Sequence, residues 1–185
     1  MVEEKKQLFV LGGCRSGKSR FAEQWVREHF ERRIFLATLE VRDEAEMAHR
    51  VALHRQSRQG GWTTLEEPVN IVDSIINNDT KTDVFLVDCL TLWITNLMLG
   101  GLTDNEIEGK VSSLVAAMGL ITSSIVLVAN EVGLGIVPES PMGRRFRDLA
   151  GWTNQQVAQV CSQVIFMAAG LPLTLKGPDT GFRLK

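Results

Sequence analysis

The eight residues Gly12-Gly13-Cys14-Arg15-Ser16-Gly17-Lys18-Ser19 constrain the fold of this chain more than any other stretch. They match G-x-x-x-x-G-K-[ST] in full, with a short apolar run before them and a helical pattern after them, the context in which such a loop cradles phosphates. Each residue type has a physical reason. Gly12 and Gly17 permit backbone angles that a side chain forbids, so successive N–H groups can turn inward toward an anion. The helix opening near Lys18 adds unpaired N–H groups and the positive end of its dipole. Lys18 is expected to reach the outer phosphates and Ser19 to bind Mg²⁺.

The rest of the chain continues that alternation. Apolar runs at residues 7–11, 34–37, 84–87 and 124–129 read as buried strands, and residues 164–168 and 173–175 as two more, joined across Gly170 to Pro172. Helical periods occupy residues 18–29, 43–58, 69–76, 90–99, 105–119 and 143–162; Met47, Ala48, Val51 and Ala52 share one face of the second. The expected fold is therefore α/β, a single P-loop NTPase-type domain over residues 1–185. Its sheet should be mainly parallel, with helices on both faces and an antiparallel C-terminal strand pair.

Charge and cysteine content narrow the function. Twenty basic against 22 acidic residues give a formal net charge of -2, which offers no electrostatic footprint for nucleic acid. Cys14, Cys89 and Cys161 lie far apart and form no CxxC pair, so neither a zinc site nor a disulfide framework is expected, and a reduced, cytoplasmic setting fits. The apolar run at residues 8–11 is too short for a signal peptide, and residues 90–99 contain Thr, Trp and Asn and are too short to span a bilayer; no membrane insertion is expected.

Several further residues carry chemistry. Asp88 follows an apolar strand, where a carboxylate can hold the metal beside the loop's Ser19 or cap the next helix. Thr80-Lys81-Thr82-Asp83 has the T-K-x-D form that reads guanine in regulatory GTPases, but it precedes a strand rather than following one, and reads as a solvated turn. Arg50, His54 and Arg58 line one helical face. From the residues alone that is a solvated basic face, or a place where a neutral imidazole can attack phosphorus. His29 ends the first helix, where an imidazolium can meet the negative helix end. Glu131 can accept a proton or pair with Arg144, Arg145 or Arg147. Trp25, Trp62, Trp93 and Trp152 read as core or interface, Trp93 most clearly as core.

These segments coincide in one family. The form Gly12-Gly13-x-Arg15-Ser16-Gly17-Lys18-Ser19-Arg20 with Ala22-Glu23, then Ala37-Thr38, Glu46-Met47, Arg50 leading to His54-Arg55, and Trp62 belong to the pattern. So do Asp88-Cys89-Leu90-Thr91-Leu92-Trp93, the block from Asn130-Glu131-Val132-Gly133 to Pro138-Glu139, Arg145-Phe146-Arg147-Asp148 with Ala150-Gly151 and Asn154-Gln155, and Ala169-Gly170-Leu171-Pro172. Together they resemble the bifunctional adenosylcobinamide kinase/adenosylcobinamide-phosphate guanylyltransferase family of cobalamin assembly, over residues 8 to 177.

The resemblance implies two reactions. ATP or GTP phosphorylates the aminopropanol hydroxyl of adenosylcobinamide. GTP then gives GMP to a histidine with loss of pyrophosphate, and the cobinamide phosphate takes that GMP to become adenosylcobinamide-GDP. His54 is placed as that histidine by the match. Nucleotide contacts carry over onto Gly12, Gly13, Cys14, Arg15, Ser16, Gly17, Lys18 and Ser19, and onto Ala37, Thr38, Leu39, Arg55, Gln56, Ser57, Arg58, Glu66 and Asp88. Glu66 or Asp88 can accept hydrogen bonds from guanine, an alternative to the metal role of Asp88. A homotrimer is also implied. Three departures stand out: Cys14 replaces the usual Ala, Gln59 stands where a proline usually follows the last arginine, Arg58, and His49 adds a second imidazole facing away from His54. Two other readings share the loop, a simple kinase for another small hydroxyl compound and a nucleotide-dependent switch; His54 distinguishes the family reading from both.

Overall fold

The computed structural model describes residues 5–39 and 60–178. The expected helix at residues 43–58, with His49, Arg50, His54, Arg55, Gln56, Ser57 and Arg58, lies outside the described residues.

Strand β1 (Gln7–Gly12) runs straight into the glycine loop and helix α1 (Lys18–His29), as the motif requires. Strands β2 (Arg33–Ala37) and β3 (Trp62–Glu66) follow, then helix α2 (Ile71–Asn78), a short 3-10 turn (Asp79–Lys81) and β4 (Val84–Asp88). Helices α3 (Leu90–Leu99) and α4 (Asp104–Leu120) lead to β5 (Ser124–Asn130). Helix α5 (Pro141–Val160) and strands β6 (Gln163–Ala168) and β7 (Leu171–Lys176) complete the described chain.

Local chemistry explains the boundaries. Helix α4 starts at a capping box, the Thr103 hydroxyl accepting from the Glu106 amide while the Glu106 carboxylate accepts from the Thr103 amide. Helix α5 starts at Ser140, whose hydroxyl accepts from the Gly143 amide, with Pro141 at the first helical position. This cap moves the helix to residues 141–160 from the expected 143–162. Helix α2 begins later than residue 69 because the Glu67 carboxylate accepts from the amides of Val69 and Asn70.

The strands form one seven-stranded sheet in the order β3-β2-β4-β5-β1-β6-β7. All neighbours pair parallel except β6 and β7, which are antiparallel. The parallel carboxyl ends, Gly12, Ala37, Glu66, Asp88 and Asn130, therefore share one edge of the sheet, the edge where open α/β folds bind ligands.

Alternation along the strands divides the core in two. Phe9, Leu36, Phe85, Val87 and Leu127 pack with α2, α3, α4 and α5 on one face. Leu8, Val10, Phe35, Leu86, Val126 and Val128 pack against Phe21, Ala22, Trp25 and Val26 of α1 on the other. Trp93 is fully buried and its indole N–H donates to the Val69 carbonyl at 2.8 Å, while Trp62 and Trp152 are only half-buried.

Three expectations are corrected. Strand β3 was not foreseen: Trp-Thr-Thr-Leu-Glu is an edge strand that is largely exposed, so it carries no apolar run. Leu171 and Pro172 belong to β7 rather than to the connection, which is the two residues Ala169 and Gly170 with φ of 51° and 81°; a proline is tolerated there because β7 is an edge strand. The Thr80–Asp83 segment is not simply solvated. Thr82 is buried with its hydroxyl donating to the Arg32 carbonyl at 2.8 Å, and Asp83 pairs with Arg32.

Candidate active site

The glycine loop lies at the carboxyl end of β1, and its geometry depends on two glycines. Gly12 has φ of 152°, and a Cβ there would collide with the Met167 carbonyl of the neighbouring β6. Gly17 caps α1 with φ of 97°, in the left-handed region. A far part of the chain braces the loop, for the Gly170 amide in the β6–β7 turn donates to the Ser16 carbonyl at 3.0 Å. Arg15, Ser16, Gly17, Lys18, Ser19 and Arg20 line a depression of about 230 Å³ at the start of α1.

Lys18 is 7% exposed, and its ammonium donates to the Gly13 carbonyl at 2.6 Å. Ser16 Oγ lies 3.5 Å from the same nitrogen. Burial pushes the Lys18 pKa down from its ordinary value, and the charge of Asp88 opposes that most, ahead of Cys89 and Cys14. A buried cation held inside a loop of amides is what an oligophosphate requires.

Asp88 is brought to that cation by the sheet. As an even-numbered residue of β4 it shares the face of Leu86, the face covered by α1. Its strand end is set by Thr38, whose hydroxyl donates to the Cys89 carbonyl and accepts from the Cys89 amide, each at 2.8 Å. The Thr38 amide donates to the Asp88 carbonyl at 3.3 Å, and the Thr38 carbonyl accepts from Asn96 Nδ2 at 2.7 Å. Every polar group of Thr38 is thus engaged within the protein.

Among the other residues singled out from the sequence, Cys14 and Arg15 are exposed on the loop, while Ser19 is half-buried in the first turn of α1. Ala37 and Leu39 are half-buried at the end of β2, and Glu66 is exposed at the end of β3, Ala37 being in register with both Glu66 and Asp88. His54, Arg55, Gln56, Ser57 and Arg58 lie outside the described residues. Glu131 adjoins the loop, its amide donating to the Gly12 carbonyl at 3.0 Å and its carboxylate accepting from the Gly133 amide at 2.6 Å. The neighbouring arginines are engaged elsewhere: Arg144 donates to the Pro138 and Glu139 carbonyls, Arg145 pairs with Asp104 and Arg147 with Asp148. His29 Nδ1 lies 2.7 Å from the Trp25 carbonyl near the end of α1, the bland role expected of it.

Sequence reasoning gave Gly170 no brace on Ser16 and Asn96 no bond to Thr38, although Gly170 stands in one of the family segments. Neither contact is legible locally, because each acts on a partner remote in sequence.

The donor set fits Mg²⁺. Among the described residues no group of three His, Cys, Asp or Glu side chains can hold a metal. A hydroxyl from Ser19 and a carboxylate from Asp88, both oxygens, suit an ion that keeps several waters and takes further ligands from phosphates.

A strand–loop–helix phosphate cradle with a buried lysine, set on a mainly parallel sheet, defines a P-loop nucleotide-binding protein. A solved structure agrees on the fold: the ATPase of a type III secretion system of pathogenic bacteria superposes with a TM-score of 0.50 at 13% identity, over 91% of this chain and 56% of that one. The model of the family "Cobinamide kinase / cobinamide phosphate guanyltransferase" matches residues 8–175, and the chain belongs to that family. It is 42% identical over 168 residues to the bifunctional adenosylcobalamin biosynthesis protein CobP of Pseudomonas aeruginosa, covering 91% of this chain and 96% of that one. It is 37% identical to the bifunctional adenosylcobalamin biosynthesis protein CobU of Escherichia coli, over 91% and 99% of the two chains. Among the described residues no helix is long and apolar enough to cross a membrane.

Proposed function

We propose that this chain phosphorylates adenosylcobinamide with ATP or GTP and then transfers GMP from GTP to adenosylcobinamide phosphate, giving adenosylcobinamide-GDP. The observation that carries the reading is the buried Lys18 ammonium inside the Gly12–Ser19 loop, facing the strand end that bears Asp88, in a chain of the cobinamide kinase family.

In this reading the loop amides and Lys18 hold the β- and γ-phosphates, and Lys18 offsets the charge that builds on the transferred phosphoryl group. Ser19 and Asp88 hold Mg²⁺, which when bound neutralises phosphate charge. The placement of Asp88 on the α1 face favours that role over guanine recognition, which falls to Glu66 at the exposed end of β3. His54 is the nucleophile of the second reaction. Its neutral imidazole attacks the α-phosphorus of GTP, pyrophosphate leaves, and the GMP–imidazole bond is then broken by a phosphate oxygen of the acceptor. Arg55, Gln56, Ser57 and Arg58 hold the nucleotide beside it. The enzyme works as a homotrimer in the cytoplasm, a setting supported by three cysteines with no partner spacing.

The test is incubation with GTP labelled at the α-phosphate, followed by isolation of the protein. Acid-labile, protein-bound GMP is expected, and it should vanish in His54→Ala. Label that persisted in that variant would remove His54 from the mechanism.

A further inference from the structure

The sheet order leaves one strand, β5, between the loop strand β1 and the carboxylate strand β4. Any group that touches both Lys18 and Asp88 must therefore cross the end of β5. The last residue of that strand is Asn130. Strand alternation puts its side chain on the face of Val126 and Val128, which is the α1 face shared by Asp88. Its in-register neighbour on β1 is Gly12, the first residue of the phosphate loop.

The backbone of Asn130 is pinned from two helices. Its amide donates to Thr91 Oγ1 of α3 at 2.7 Å, and its carbonyl accepts from Asn154 Nδ2 of α5 at 3.3 Å. Both Thr91 and Asn154 are 7% exposed. The half-buried Asn130 carboxamide, by contrast, makes no hydrogen bond among the described residues, whose bonds to Asn130 all go to its backbone. The adjacent Glu131 is a poorer candidate, since its carboxylate is taken by the Gly133 amide and its charge repels phosphate.

Resting on the proposed kinase reading, we propose that the Asn130 carboxamide reads the third phosphate: its N–H donates to a γ-phosphate oxygen and so distinguishes a nucleoside triphosphate from a diphosphate. The contact persists as the acceptor hydroxyl oxygen bonds to the γ-phosphorus, the bond to the β-phosphate oxygen breaks, the diphosphate leaves and the hydroxyl proton passes to water. A donor already aimed by a pinned strand costs no reorganisation during that transfer.

The experiment compares fluorescent GTP and GDP analogues binding to the full chain and to Asn130→Ala and Asn130→Asp, with circular dichroism melts as the folding control. Asn130→Ala should weaken the triphosphate analogue about tenfold, as expected for one lost charge-assisted hydrogen bond, and leave the diphosphate analogue within about twofold. Asn130→Asp is of the same shape and repels the γ-phosphate, so it should discriminate against the triphosphate further. Equal loss of both nucleotides in folded variants, or no loss of either, overturns the assignment. Absence of phosphate transfer to adenosylcobinamide by the unaltered protein would overturn the kinase reading instead, while the binding comparison would still decide Asn130.

Discussion

The Thr38 hydroxyl stands between the amide and the carbonyl of Cys89, 2.8 Å from each, and so ties the end of β2 to the residue after Asp88. Thr38 is fully buried, so neither group of Cys89 has water to fall back on if the hydroxyl is removed. Thr38→Val is expected to lower stability by about 2–6 kcal/mol, at roughly 1–3 kcal/mol for each of the two groups left unsatisfied. Thr38→Ser should recover most of it. Urea denaturation measures both, and a Thr38→Val variant within about 0.5 kcal/mol of the parent would show that the joint contributes nothing.

Lys18 points into the loop rather than into the apolar core, since its ammonium bonds to the Gly13 carbonyl. Lys18→Ala should cut nucleotide turnover at least about 100-fold, the scale of losing one preorganised charge at a phosphoryl group. Thermal unfolding should not drop by more than a few degrees, because the substitution also removes a desolvated cation. Turnover near the parent rate would separate this lysine from the chemistry.

Gly12→Ala tests the loop from the other side. Its Cβ would meet the Met167 carbonyl, which is backbone and cannot swing away. Loss of nucleotide binding together with lower thermal stability is the expected outcome, read by analogue fluorescence and by melting. Unchanged binding would mean that β1 and β6 can part at no cost.

The three cysteines differ in environment. Cys14 is exposed on the loop, while burial pushes Cys89 up to about 11 and Cys161 up to about 12. At pH 8 a thiol reagent should modify one cysteine in the folded protein and all three after denaturation. Bound GTP should slow the first reaction, since Cys14 belongs to the proposed phosphate cradle. Two or more fast-reacting thiols in the folded state would contradict the burial.

The same shifts set a pH dependence. A thiol whose pKa is raised by folding contributes stability that is whole below its unfolded value near 9 and is lost as pH rises toward about 11 for Cys89 and about 12 for Cys161. Melting temperature should therefore fall between pH 9 and 11, and Cys161→Ala should flatten that fall relative to its own value at pH 8. An identical slope in the variant would assign the alkaline loss to other groups.

Much of the fold was legible because it is written in short windows. The glycine loop, the helix after it at residues 18–29, and the apolar runs of β1, β4 and β5 each declare themselves within a few residues. Edge strand β3 did not, since half-exposed residues on a sheet edge need no apolar run. The Thr80–Asp83 turn misled for a similar reason: Thr82 and Asp83 are tied to Arg32, which precedes them by 50 and 51 residues.

The sequence by itself determined the phosphate-binding loop, the alternation of strands and helices and the family to which the chain belongs, because these depend on local backbone rules and on residues read in order. Only the tertiary structure decided that β5 separates β1 from β4, that Asp88 acts on Lys18 from the α1 face, and that Gly170 braces the loop at Ser16. Those are consequences of strand order and register. Both are set by how whole apolar faces pack, so no stretch of a few residues encodes them.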